Sequence, residues 1–207
     1  MFLAIRCMLE GNSKFKKITQ EDGLSHNNIE CIFKDSEGYM WFGTRSGLCR
    51  FDGYEVKVFR YKNSKGSLSG DRILCIGENN GILWIGTFAS GLNKYDRKTG
   101  QFVNYSQIPE LSERINRIKV LSDGSLWICS NHGLAKYLPE IDSFKIYQKS
   151  PQQQTGDDYN HFYDIVECRN KKIYVASESE FIHEFNQNEG TFTEIKYPRL
   201  PDLTSKL

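Results

Sequence analysis

The chain has 207 residues, enough for one domain with a sizeable core, and is 13% aromatic. Its 27 Lys and Arg against 26 Asp and Glu leave a formal net charge of +1, so no global field recruits nucleic acid or an anionic membrane. No run of 18 apolar residues occurs, which excludes a helical membrane span within it.

Met1–Leu9 is apolar but short, carries Arg6, and lacks the basic start and small-residue cleavage site of a secretory signal. Residues 1–14 therefore stand apart as an N-terminal segment, the remnant of a signal at most. From residue 24 the chain repeats itself. Four short apolar runs, Ile29–Phe33, Met40–Thr44, Leu48–Phe51 and Val56–Tyr61, make a unit over residues 24–61. Ile73–Gly77, Leu83–Thr87, Leu92–Tyr95 and Phe102–Tyr105 make a second over 68–105. Ile115–Val120, Leu126–Ser130, Leu134–Tyr137 and Phe144–Tyr147 make a third over 112–147. Tyr163–Cys168, Ile173–Ala176, Ile182–Phe185 and Phe192–Ile195 make a fourth over 160–196, behind a polar stretch at 152–158 that is expected to be an enlarged loop.

Runs of this length, rich in β-branched and aromatic residues and bounded by Gly, Asn, Asp and Ser, are strands. Asn80-Gly81 and Asp123-Gly124 offer the positive φ of tight hairpins. Trp41, Trp84 and Trp127 open near-identical phrases 43 residues apart, and Tyr174 follows 47 residues later. Repetition at this period predicts an all-β propeller of four-stranded antiparallel blades, with about four blades present. The Trp residues and Tyr174 then fill the gaps between blades, and Gly43 and Gly86 of Trp-x-Gly-Thr admit a neighbouring sheet. Of six cysteines, Cys31, Cys75 and Cys168 fall in first strands and Cys129 takes the Gly position. No Cys-x-x-Cys occurs, so buried free thiols are expected and neither a zinc site nor a cofactor is.

Glu21-Asp22-Gly23-Leu24-Ser25-His26-Asn27-Asn28-Ile29, Asp35-Ser36-Glu37-Gly38-Tyr39-Met40-Trp41-Phe42-Gly43-Thr44 and Gly47-Leu48-Cys49-Arg50-Phe51-Asp52-Gly53 closely resemble the first blade of the two-component regulator propeller family. The resemblance spans residues 15–207 and weakens in the fourth unit. It implies a periplasmic sensor region of a Bacteroidetes-type hybrid histidine kinase, a glycan-derived ligand such as an oligosaccharide, dimerisation of the full-length sensor, and the remainder of that kinase as partner. It further implies that Phe15–Ile18 is an N-terminal closing strand and that residues 202–207 start a further blade, making the chain an N-terminal piece of a larger propeller. A self-sufficient four-bladed propeller remains open on length.

No nucleophile elbow, phosphate loop or zinc-protease motif is present, nor a phospho-acceptor His motif. Chemistry is instead expected where the loop before each first strand and the loop between second and third strands share one face. These loops hold His26, Asn27 and Arg45 in the first unit, Arg72 and Phe88 in the second, Arg114, Asn131 and His132 in the third, and Tyr159 and His161 in the fourth. Arginine forks clamp carboxylate or sulfate, and Phe88 or Tyr159 can stack on a sugar. A non-catalytic sensor is the leading reading. Alternatives are a polysaccharide lyase or hydrolase using Glu113, Asp157, Glu178 and His132 as acid and base, or a protein-interaction scaffold.

Overall fold

A computed structural model describes residues 17–150, 160–178 and 182–195. Its strands form four-stranded antiparallel sheets, each ordered as in the sequence. Blade one comprises β1 (Ile29–Lys34), β2 (Met40–Thr44), β3 (Gly47–Phe51) and β4 (Val56–Phe59). Blade two comprises β5 (Ile73–Asn79), β6 (Ile82–Thr87), β7 (Leu92–Asp96) and β8 (Gln101–Asn104). Blade three comprises β9 (Ile115–Val120), β10 (Leu126–Ser130), β11 (Leu134–Leu138) and β12 (Ser143–Tyr147). Blade four comprises β13 (Phe162–Glu167), β14 (Ile173–Ser177), β15 (Ile182–Asn186) and β16 (Thr191–Ile195).

The predicted strands are all there, with three corrections, the smallest being that Tyr105 lies one residue beyond β8. Tyr61 leaves β4 and makes an isolated parallel bridge to Leu68. Cys168 lies one residue beyond β13 and is exposed, because the chain turns there: Lys171 N–H donates to the Cys168 carbonyl at 2.9 Å. Residues 1–16, the loop at 152–158 and the segment at 202–207 lie outside the described residues, so the closing strand is represented only by Lys17 and Ile18, neither of which is in a strand.

Each Trp packs forward onto the following blade. Trp41 meets Tyr95 of blade two with ring centroids 5.6 Å apart, Trp84 meets Tyr137 of blade three at 4.7 Å, and Trp127 meets Phe185 of blade four at 5.5 Å. All three indoles are buried, and each anchors a separate apolar core between consecutive blades. Tyr174 is half-buried and belongs to none of these cores.

The glycines beside these Trp residues are needed for space. A Cβ on Gly43 would stand 2.4 Å from Cys31 Sγ and 2.8 Å from Ile73 Cγ2 of the next blade. On Gly86 it would meet Cys75 Sγ at 2.5 Å and Ile115 Cγ2 at 2.6 Å. Blade three solves the same contact differently: Cys129 occupies the glycine position, and its ladder partner is Arg117 rather than a cysteine.

The face opposite the expected site is a set of clamps between blades. Ser36 donates from N and Oγ to Glu78 at 2.8 and 2.5 Å, and Ser122 does the same to Glu167 at 2.8 and 2.8 Å. Arg97 bridges Asp35, Glu37 and Glu78 at 2.9 Å each, while Trp41 Nε1 donates to Asp35 at 2.7 Å. Burial pushes the Asp35 carboxyl up, but the bonds from Trp41 and Arg97 outweigh it and hold the carboxyl below its usual range. This face is scaffold.

Candidate functional site

The opposite rim is stitched from the loops predicted to share it. Gly47 N–H donates to Asp71 O at 2.7 Å, Phe88 to Arg72 at 2.9 Å, Gly91 to Glu113 at 2.7 Å, Asn131 to Arg114 at 3.2 Å and Glu178 to His161 at 3.2 Å. Loops before first strands and loops between second and third strands are thereby fixed to one another within and across blades.

A second device feeds side chains into this rim. Every inner strand has a bulge at its start. Ile29 pairs with Thr44 but Cys31 with Gly43, leaving Glu30 as the extra residue. By the same shift Leu74, Asn116 and Tyr163 are the extra residues of β5, β9 and β13. A bulge re-aims one side chain without disturbing the ladder beyond it, and three of these four residues are polar members of the rim network.

Glu30 Oε1 takes both Arg45 and Arg72 at 3.1 Å. Burial pushes its carboxyl up, and the two guanidiniums more than reverse this, so it stays ionised. The Arg72 guanidinium lies 4.2 Å from the Phe88 ring centroid, and that of Arg114 lies 5.1 Å from it. Arg114 Nε donates to Asn116 Oδ1 at 2.7 Å, and Asn116 Nδ2 donates to Asn131 Oδ1 at 3.0 Å and to the Phe162 carbonyl at 2.9 Å. Blade four continues the series. Glu178 accepts from Tyr163 OH and lies 3.3 Å from His161 Nδ1, bonds that hold its carboxyl low with help from the Arg114 charge. The His161 ring stands 6.4 Å from that of His132, whose Nε2 is 2.8 Å from Glu113 Oε2. Just below, Arg117 meets Asp164 with two bonds of 3.1 Å.

The structure thus brings together Arg45, Arg72, Phe88, Arg114, Asn131, His132 and His161. It keeps His26 and Asn27 apart, in local turns: His26 Nδ1 accepts from Asn28 N–H at 2.8 Å and Asn27 Oδ1 from Gln20 N–H at 2.9 Å. Tyr159 lies outside the described residues. Glu30, Asn116 and Tyr163 were not anticipated, because a bulge is invisible to strict two-residue alternation. One signal was available: the inner strands begin Ile-x-x-Ile or Phe-x-x-Ile (Ile73-x-x-Ile76, Ile115-x-x-Ile118, Phe162-x-x-Ile165) with both ends buried, a spacing of three that only an extra residue explains.

The arginines are not unmatched clamps for an acid. Arg45 and Arg72 share Glu30, and Phe88 offers its ring to two guanidiniums. What the rim presents is an alternation of fixed donors (Arg, Asn) and acceptors (Glu, Asn), the pattern that satisfies a ligand rich in hydroxyl groups. Among the described residues no group of three or more His, Cys, Asp and Glu is placed to hold a metal ion.

Residues 23–46 match the family model described as Two component regulator propeller. Over 60 residues the chain is 43% identical to histidine kinase P4 of Formosa agariphila, a match covering 28% of this chain and 4% of that kinase. Among solved structures it resembles the extracellular domain of the hybrid two component system BT3049 from B. thetaiotaomicron, with a TM-score of 0.75, 22% identity, and coverage of 88% of this chain and 26% of that one. The extracellular domain of the one component system BT4673 from the same organism gives 0.64 at 22% identity, covering 83% and 22%. The WD40 propeller of Doa1 gives 0.58 at 13% identity, covering 84% and 56%. At these identities the structural likeness establishes the propeller fold, and the chain spans a small part of its kinase relative.

Proposed function

We propose that this chain, which carries a two component regulator propeller repeat at residues 23–46, is a non-catalytic ligand-sensing segment of a two-component signalling protein. Its rim takes a hydroxyl-rich, glycan-derived ligand, and binding is passed to a histidine kinase elsewhere in a dimeric sensor whose propeller faces the periplasm. The observation carrying this reading is the unbroken network from Arg45 through Glu30, Arg72, Phe88, Arg114 and Asn116 to Asn131, which draws side chains from the first three blades onto one face. Such a network is preorganised, so a ligand bridging it meets groups already held in place. The similarity to a named histidine kinase and to extracellular domains of two-component systems agrees with a sensor role.

Calorimetric titration of the chain with neutral oligosaccharides tests it. Saturable binding without product is expected, weakened about ten-fold or more, about 1.4 kcal/mol, by Phe88→Ala or Arg114→Gln. Steady product formation would instead make Tyr163, Glu178 and His161 an acid–base group and the chain an enzyme. Capture of a protein partner with no saccharide binding would favour a scaffold.

A further inference from the structure

On the rim Arg45 and Arg72 share the Glu30 carboxylate and Arg114 is held by Asn116 and Phe88, whereas the cations of the outer flank have no such partners. The segment from Tyr61 to Ser69 folds back beside the outer strands of blades one and two and walls an open cleft of about 700 Å³. A smaller cleft of about 310 Å³ adjoins it and shares Lys62, Lys65 and Phe102. Lys57 and Arg60 join the two lysines in the smaller one. No Asp or Glu lines either cleft. Among the described residues none of these four cations makes an ion pair. In a chain of net charge +1, this is a local concentration of unmatched positive charge.

The wall that carries the lysines is held at both ends. Tyr61 N–H donates to Asp71 Oδ1 at 2.6 Å, and Ser67 Oγ donates to the Lys62 carbonyl at 2.5 Å. Phe102 N–H donates to the Gly66 carbonyl at 2.9 Å, tying the segment to β8, and Asn93 bonds Ser69 through both its amide atoms at 3.0 and 2.8 Å. Gly66 has φ +83°, a conformation that favours glycine and turns the chain between Lys65 and Ser67. Ser64, Ser90 and Ser106 line the larger cleft together with Ser67 and Ser112, whose hydroxyls already donate to the Lys62 and Pro109 carbonyls. Tyr61, 49% exposed, and Val103, 46% exposed, give it apolar surface. The connection into blade three, Tyr105-Ser106-Gln107-Ile108-Pro109-Glu110-Leu111-Ser112, does the same structural job with no cation. Packing therefore does not require Lys62 or Lys65.

We propose that this flank cleft is a second binding site, for an anionic saccharide. Lys62 and Lys65 meet its carboxylate or sulfate groups, Ser64, Ser90 and Ser106 bond its hydroxyls, and Tyr61 lies against a sugar face. The site shares no cation with the rim, and Ser90 of its lining comes from the loop that also carries the rim side chain Phe88.

Binding of trigalacturonate, a sulfated disaccharide, maltotriose and sodium sulfate to the 207-residue chain tests this, in the wild type, the K62Q/K65Q double variant and Phe88→Ala. At least one acidic saccharide is expected to bind saturably and to weaken as salt is raised. It should lose about ten-fold or more in K62Q/K65Q and be unchanged in Phe88→Ala. Both lysines are exposed, so the double variant is expected to keep the wild-type melting temperature, which checks its fold. Absence of binding by both acidic saccharides overturns the proposal, as does equal affinity in K62Q/K65Q. Sodium sulfate binding as tightly as the acidic saccharides, or maltotriose losing as much affinity in K62Q/K65Q as they do, also overturns it. Loss in Phe88→Ala with retention in K62Q/K65Q would place the anion on the rim and end the cleft assignment.

Discussion

Cys129 stands where two other blades have glycine, and the exchange is instructive because the volume moves across the ladder. In blades one and two the sulfur sits on the inner strand and the second strand gives way with Gly43 and Gly86; in blade three the sulfur sits on the second strand. Gly86→Ala should therefore destabilise the fold by about 1–3 kcal/mol through overpacking against Cys75 and Ile115, measured by urea unfolding; an unchanged midpoint would show that the two blades can separate at no cost. Burial also decides thiol chemistry. It pushes the Cys31 thiol up to about 12, with smaller opposing help from the Gly43 backbone, and pushes Cys75 and Cys129 up as well. In the native protein near neutral pH, among the described cysteines, Cys168 alone is expected to react quickly with a thiol reagent, and in a Cys7→Ser background Cys168→Ser should remove that fast phase.

At the scale of the element, strand and turn positions were legible because each strand is short, apolar and bounded by turn residues. The bulges were not, because an extra residue at a strand's start leaves composition unchanged and shows only in the pairing. The forward-packing Trp is the element's main energetic feature. Trp84→Ala should cost about 3–5 kcal/mol, since the ring is buried against Tyr105, Tyr137 and Phe144; Phe88→Ala, on the rim, should cost far less in the same unfolding experiment. Blade four carries a different feature. Lys149 Nζ donates to Ser177 Oγ at 3.3 Å, and Ser177 Oγ lies 3.4 Å from Nδ1 of the buried His183. Burial lowers the His183 pKa, the Lys149 charge lowers it further, and Glu194, its partner across β15 and β16, works the other way. The unfolded chain thus takes up this proton at a higher pH than the folded one. The resulting stability is fully present above about pH 6.5 and is lost as pH falls below it. A His183→Gln variant should show a shallower fall in melting temperature across that range; an equally steep fall would remove His183 as its cause.

For the whole molecule, the cores anchored by Trp41 and Trp127 share no residue, since two blades separate them. Losses from Trp41→Ala and Trp127→Ala should add to within about 0.5 kcal/mol in the double variant, and a large coupling term would mean that the blades unfold as a single inseparable core. Charge is likewise organised by region: held by Glu30, Asn116 and Phe88 on the rim, clamped on the opposite face, unmatched on the flank of blades one and two. The chain by itself determined the architecture, because a 43-residue beat of Trp, turn and alternating strands is local information that repeats. It also named the rim loops, because loop order follows from strand order. Only the tertiary structure decided what those loops do. Whether Arg72 waits for a ligand or is held by Glu30 depends on a bulge that brings together residues 42 positions apart. Whether Lys62 and Lys65 are ordinary surface charge or the wall of a cleft depends on how one segment folds back against the neighbouring blade.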